Sequence, residues 1–243
     1  MQLFDVHSHI LPGFDDGAKT VEESLELIEC LQKQGIDHIC LTPHFYTHEQ
    51  SVEDFLESRN AAFKEFFPHI PSGVGIVLGA EVYVTDYLFN SDNWRGISYG
   101  KSPYILTEFP YDSPFSERTM FQIDRIIGNH RLIPVLPHVE RYEKLMDNPR
   151  KIEELRDIGM LIQTNISNYT AKAPFFRKRK LLKMIARGQI DLLGSDAHSF
   201  KHNTPEVFTE AMHTISEKCG DEVLADMMRN AEQLFREAVK GQE

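Results

Sequence analysis

At 243 residues, with 41% hydrophobic and 10% aromatic content, the chain has the composition of a globular protein long enough to bury a substantial core. Its 37 acidic and 26 basic residues give a net charge of −11, which argues against non-specific nucleic-acid binding and against an anionic membrane surface. Three cysteines without paired spacing, no basic-then-apolar leader and no apolar run of spanning length predict a reduced, cytoplasmic protein without membrane insertion.

Phe4–His7 is predicted as a first strand and runs directly into His7-Ser8-His9. On an extended chain residues i and i+2 face the same side, so both imidazoles can face one point, an arrangement suited to zinc, iron or manganese. Thr20-Val21-Glu22-Glu23 is a capping box opening a helix whose face carries Val21, Leu25, Ile28 and Leu31, stopped at Gly35. A second strand, His38 to Thr42, is closed by Pro43, and residues 51–67 follow as a helix. Residues 75–81 and 104–108 are the third and fourth strands. After a helix over 116–128, residues 132–136 make a fifth strand in which Pro134 counts against a central position. A helix over 148–158 precedes a sixth strand at 160–165, and a helix over 175–187 precedes a seventh at 190–195. Helices over about 205–219 and 221–239 finish the chain. Strands alternating with helices, without linker or repeat, predict one α/β domain over 1–243 built on a parallel sheet, open or closed into a barrel.

Metal-type ligands recur at the strand ends. His7 and His9 follow the first strand, His44 the second, and Glu81 and Glu108 end the third and fourth. His138 follows the fifth, Asn165 ends the sixth, and Asp196 and His198 follow the seventh. In parallel sheets and barrels the site lies at the carboxyl ends of the strands, and a buried polar group there is costly without a partner. One such histidine would be structural; this many at the same ends point to a metal site. Their number exceeds the needs of one ion, and a bridging carboxylate such as Glu81 would let two or three ions share it.

The pattern resembles the polymerase-and-histidinol-phosphatase (PHP) metallophosphoesterases. Residues 5–17, Asp-Val-His-Ser-His-Ile-Leu-Pro-Gly-Phe-Asp-Asp-Gly, are similar to the start of the bacterial protein-tyrosine phosphatases of capsule and exopolysaccharide operons. Thr42-Pro43-His44, Glu108-Phe109-Pro110, His138-Val139-Glu140-Arg141-Tyr142 and Gly194-Ser195-Asp196-Ala197-His198 match the same subfamily in order and spacing. The resemblance implies a distorted (β/α)7 barrel with two or three divalent ions, manganese favoured over iron or zinc. It implies His7, His9, Glu81 and Asp196 around a first ion, Glu81, Glu108 and His138 around a second, and Asp16, His44 and His198 around a third. Asp15 is then the less suited of the Asp-Asp pair, free to bond a ligand histidine instead. Val139 stands where the subfamily carries proline, and Lys201 stands where relatives often place a phosphate-binding arginine.

The implied activity is hydrolysis of phosphotyrosine on an autophosphorylated bacterial tyrosine kinase, in control of polysaccharide synthesis. A hydroxide between two ions would attack in line, with Arg141 and Lys201 stabilising the phosphoryl oxygens. The alternatives are a small-molecule phosphatase such as one acting on histidinol phosphate, and a metal-stabilised scaffold. Amidohydrolases also begin with His-x-His, but they usually use a bridging lysine where this chain has Glu81 and Glu108. Phe14, Phe45 and Tyr46 are candidates to flank an aromatic phosphoester, whereas His48 and His202 read as non-ligands. The basic run Arg177-Lys178-Arg179-Lys180 reads as a solvated helix face.

Overall fold

The computed structural model describes residues 2–240. Strands β1 (Leu3–Ser8), β2 (Ile36–Leu41) and β4 (Gly75–Leu78) pair in the order β1-β2-β4. Strands β3 (His44–Tyr46), β5 (Glu81–Tyr83), β6 (Tyr104–Glu108), β7 (Ile133–Leu136), β8 (Leu161–Asn165) and β9 (Leu192–Gly194) pair in chain order. Every pairing is parallel.

The second and third predicted strands are each broken in two. Pro43 has no N–H to continue the ladder, and at Gly79 the carbonyl leaves the sheet to accept from the buried Arg59 guanidinium at 2.8 Å. His44 and Glu81 therefore open second segments, paired with each other in register, instead of following or ending continuous strands. Counting each broken pair once leaves seven strand positions. The ring closes where Ser8 bridges Ala197, with His9 N–H donating to Ala197 O at 2.9 Å and Asp196 N–H to His7 O at 2.8 Å. The result is an α/β barrel of distorted (β/α)7 form.

Pro134 does occupy a central strand. Its missing N–H faces β8, whose pairing with β7 starts one residue later at Val135–Leu161, so no ladder bond is lost.

Helices α1 (Val21–Gln32), α2 (Val52–Phe66), α3 (Glu117–Gly128), a short α4 (Glu143–Met146), α5 (Pro149–Asp157), α6 (Phe175–Ala186), α7 (Phe208–Cys219) and α8 (Asp221–Val239) pack around the strands. Thr20 and Ser51 cap α1 and α2 by accepting from the N–H groups three residues on, at 3.2 and 3.1 Å. The buried face of α1 is Ser24, Leu27, Ile28 and Leu31; Val21 and Leu25 lie at its margin. Each enclosed leucine or isoleucine there contributes about 1.5–3 kcal/mol of transfer free energy. Helix α8 seals the amino ends of the strands, with Phe235 against Phe4 and His38. No described helix is long and apolar enough to cross a membrane.

Candidate metal centre

The innermost group is a cage of four donor atoms brought from the first, third and seventh strand positions. His7 Nε2 lies 3.2 Å from His9 Nε2, 3.4 Å from Glu81 Oε2 and 3.6 Å from Asp196 Oδ1. His9 Nε2 lies 3.2 Å from the same Glu81 oxygen and 3.4 Å from the same Asp196 oxygen. Donors about 2.1 Å from one tetrahedral ion stand about 3.4 Å apart, so these spacings fit a cation at the centre. Glu81 Oε2 is buried and makes no aligned hydrogen bond, although His44 Nδ1 also stands 3.0 Å from it, and this gathering of imidazole nitrogens around one carboxylate oxygen suits a cation.

The far side of each cage residue is held in place. His9 Nδ1–H donates to Asp15 Oδ2 at 2.7 Å, which leaves Nε2 facing the cage. Asp15 Oδ2 also accepts from His44 N–H at 3.0 Å and its other oxygen accepts from Gly17 N–H at 2.9 Å. Any side chain at Gly17 would strike His9 O, 1.9 Å from where its Cβ would stand, so glycine is what lets this loop lie against the histidine. Asp196 turns Oδ1 to the histidines while Oδ2 accepts from Arg141 at 2.5 Å, and from Asn165 and Asn203 at 2.8 Å each. Gln163 Oε1 accepts from His138 N–H at 2.7 Å and lies 3.4 Å from His7 Nδ1.

Two of these residues sit in strained backbone. His138 has φ of 33° and Asp196 φ of 52°, a region costing side-chain-bearing residues about 1–3 kcal/mol. The bonds from their N–H groups to Gln163 and His7 hold them there.

Glu81 reaches a second group through its other oxygen. Oε1 lies 2.7 Å from His138 Nε2, and that nitrogen is 3.6 Å from Glu108 Oε1. Tyr111 Oη donates to Glu108 Oε1 and accepts from Arg141 Nη1 at 3.1 Å. A third group lies at the rim, where Asp16 Oδ1 is 3.5 Å from His44 Nε2 and 3.4 Å from His198 Nε2. The structure thus brings together all of His7, His9, Asp16, His44, Glu81, Glu108, His138, Asp196 and His198.

The protonation behaviour of the metal-free protein follows from burial opposed by charge. Burial alone would raise Asp15 and Asp196, but His9 holds the first well below the carboxylate range, and His7, His9 and Arg141 hold the second there. Burial, then the neighbouring His9, lowers His198 to about 4, and burial lowers His138, leaving neutral imidazoles ready to ligate. Burial would lower His7, yet Glu81 and Asp196 raise it above its ordinary value; the carboxylates that favour a proton there also favour a metal cation. Burial and the Glu81 charge push Glu108 up to about 7.

A cavity of about 480 Å³ opens onto the second and third groups. Arg141, Tyr46, Tyr83 and Tyr111 line it, together with His48 and His202, which the sequence pattern set aside as ligands. Phe45 is buried against Phe55, and Phe14 packs edge-on to the same ring, so of the three proposed aromatics Tyr46 is the one that faces this space. Lys201 is exposed and does not line the cavity. A larger cavity of about 900 Å³ lies at the amino ends of β6 and β7, beside Trp94 and Leu132, and contains none of the clustered ligands. Sequence reasoning missed Gln163, Tyr111 and Asn203. Gln163 carried a usable signal, being a polar side chain in an apolar strand.

A family model for capsular polysaccharide synthesis proteins, CpsB/CapC, matches residues 3–236. The chain belongs to this family. It is 32% identical over 234 residues to the tyrosine-protein phosphatase CpsB of Streptococcus pneumoniae, covering 90% of this chain and 91% of that one. A solved structure from work on YwqE of Bacillus subtilis and CpsB of Streptococcus pneumoniae, described as metal-dependent tyrosine phosphatases, matches with a TM-score of 0.79 at 27% identity over 97% of this chain and 95% of that one. The phosphotriesterase homology protein of Escherichia coli matches with a TM-score of 0.59 at 14% identity, over 96% and 98% of the two chains, a likeness of fold alone. Like its family, the chain is a metal-dependent tyrosine-protein phosphatase of capsular polysaccharide synthesis.

Proposed function

We propose that this phosphatase acts in the cytoplasm on phosphotyrosine of a protein, an autophosphorylated bacterial tyrosine kinase being the substrate expected of an enzyme controlling polysaccharide synthesis. The observation that carries this reading is Glu81, whose two oxygens face two different donor groups beside an aromatic-lined cavity. His7, His9, Glu81 and Asp196 would hold one divalent ion, Glu81, Glu108 and His138 a second, and Asp16, His44 and His198 a third. Donors that are all imidazole or carboxylate, with no thiolate, suit manganese, iron or zinc, and manganese is the ion we favour. Bound ions supply an activated water and positive charge at the phosphoryl oxygens.

The remaining work falls to the chain. Arg141, anchored on Asp196 and stacked near Tyr111, presents its guanidinium to the cavity, where it can pair with phosphoryl oxygens. Tyr46, Tyr83 and Tyr111 give the cavity walls that accept an aryl ring. The leaving phenolate, with a conjugate pKa of about 10, needs less protonation than an alkoxide. Lys201 has no place in this reading.

The test is parallel turnover of a phosphotyrosine peptide and histidinol phosphate by protein stripped with chelator and reloaded with single metals, with elemental analysis of each preparation. Faster turnover of the peptide after manganese reloading is expected. Preferred turnover of histidinol phosphate would replace this reading with a small-molecule phosphatase.

A further inference from the structure

The chain-wide charge of −11 hides a segment of opposite sign. Residues 171–187 contain seven lysines and arginines and no acid. They include helix α6, whose inner face, Leu181, Met184 and Ile185, packs into the core. Its first two residues, Phe175 and Phe176, are 65% and 82% exposed, their rings 5.5 Å apart. Single exposed apolar residues are ordinary, but two adjacent phenyl rings projecting beside a basic cluster are not.

An apolar hollow of about 440 Å³ continues along the helix, floored by Phe175, Leu182 and Ala186 and rimmed by Lys178, Arg179 and Lys183. Arg177, Arg179 and Lys183 have no ion-pair partner among the described residues. Lys178 donates to Thr170 O at 2.9 Å, and Lys180 pairs with Asp147 at 2.8 Å. Two further acids near this face are engaged as well: Glu210 accepts from Ala171 N–H, and Glu217 pairs with Lys218, which also lines the hollow.

We infer that the outward face of α6 is a docking surface for an anionic lipid bilayer, with Phe175 and Phe176 entering the headgroup layer and the surrounding cations meeting lipid phosphates. Aromatic rings settle at the headgroup boundary, and lysine and arginine stems lie along apolar surface while their charges stay at the interface. The projecting ring pair favours a bilayer over an acidic protein, since two rings standing outward enter a yielding headgroup layer directly, whereas a protein would have to offer a recess matched to both. The negative charge of the rest of the chain does not oppose this at contact, because charges beyond about 10 Å are screened at 0.1 M salt. The placement also has a direction. Helix α6 follows β8, whose carboxyl end carries Asn165 beside Asp196, so α6 starts from the catalytic end of the barrel. Docking there would bring the cavity mouth near the membrane.

The experiment is co-sedimentation of the metal-loaded protein with phosphatidylcholine vesicles and with vesicles of phosphatidylcholine and phosphatidylglycerol. Binding to the anionic vesicles at least about tenfold above the neutral ones, and released by salt, is expected. Phe175→Ser/Phe176→Ser and Arg177→Glu/Arg179→Glu/Lys183→Glu should each lower binding about tenfold or more, while hydrolysis of p-nitrophenyl phosphate in solution stays at the wild-type rate. A second readout that needs no loss of function is Phe176→Trp. The native Trp94 is buried, so a blue shift on adding anionic vesicles, and quenching by brominated lipid, would report residue 176 itself. Equal binding to both vesicle types, binding unaffected by the substitutions, or retention by polyglutamate without retention by vesicles overturns the proposal.

Discussion

His7, His9, Glu81 and Asp196 are at most 1% exposed, whereas Asp16, at the rim of the same centre, is 69% exposed at its side chain. In the inner cage most of the donor side chains are oriented from behind: His7 lies against Gln163, His9 against Asp15, and Asp196 against Arg141, Asn165 and Asn203. At the rim, His44 and His198 stand on built backbone, but Asp16 meets them at 3.5 and 3.4 Å from a solvated loop. Donor types are the same in both regions; preorganisation is not. The inner cage has its charge and geometry arranged before an ion arrives, so it should retain metal. At the rim Asp16 is solvated and has no supporting acceptor or donor behind it among the described residues, so the rim should exchange metal more readily.

The largest effect should come from Asp196→Ala, which removes a cage donor and the anchor of Arg141 together. Activity should fall more than about 100-fold, beyond the 10–100-fold typical of losing a supporting residue, with circular dichroism still that of a folded barrel. His138→Ala should do the same through the second group. Full activity in both variants would remove the metal centre from the mechanism. Asp15→Asn tests the orientation argument, because the amide keeps the shape but loses the charged acceptor for His9. Tightly held metal should weaken about 10–100-fold in chelator competition. An unchanged affinity would mean that the cage does not depend on its support.

How much of this could be read from residues alone follows the same division. Ligands were legible where a His, Asp or Glu follows a short apolar strand, as Glu108 follows Tyr104-Ile105-Leu106-Thr107, because burial makes such a residue anomalous unless something pairs with it. The alternation of strand and helix likewise predicted the parallel barrel. What stayed hidden was geometry set by distant partners. The breaks after Leu41 and Leu78 depend on how the chain turns at Pro43 and on Arg59 reaching Gly79 from α2. Tyr111 and Asn203 have ordinary sequence surroundings, and their role exists only once Glu108 and Asp196 stand beside them; Gln163 stood out in its strand, but its pairing with His138 did not. The split of Asp15 from Asp16 was readable in part, through the motif, yet its cause is the two backbone N–H groups that hold Asp15 inward.

Acid should weaken the second group through Glu108. In the metal-free protein Glu108 is raised to about 7 by burial and by Glu81, so below that pH it holds a proton that a cation must displace. Affinity for the ion beside His138 should therefore be full above pH 7 and fall about tenfold per unit as pH drops below it, until the group is fully protonated in both competing states. Calorimetric titration in buffers of differing ionisation heat should find a proton released near pH 6 and little released from Glu108 near pH 8. A smaller effect, about tenfold in activity, is expected of Asp16→Ala, with the inner metal content retained by elemental analysis. Loss of the inner metal in that variant would break the contrast between cage and rim.

The smallest effect belongs to Lys201, and its size separates charge near a site from charge in it. The residue follows the candidate ligand His198 by three positions, and a lysine there invites a phosphate contact. The intervening loop folds back on itself, with Lys201 and His202 N–H groups donating to Ser199 Oγ at 3.2 and 3.1 Å and Ser199 N–H to His202 O at 3.0 Å. That turn puts His202 on the cavity wall and leaves Lys201 exposed. A solvated ammonium loses much of its pull on a phosphoryl oxygen to water and salt, whereas Arg141 is partly buried and fixed by Asp196 and Tyr111. Lys201→Ala should therefore leave kcat/KM within about twofold, with any residual effect shrinking as salt is raised, while Arg141→Ala costs at least about tenfold. A tenfold loss from Lys201→Ala that persists at high salt would mean the loop closes over the substrate, and would move the rim from a solvated edge to part of the binding site.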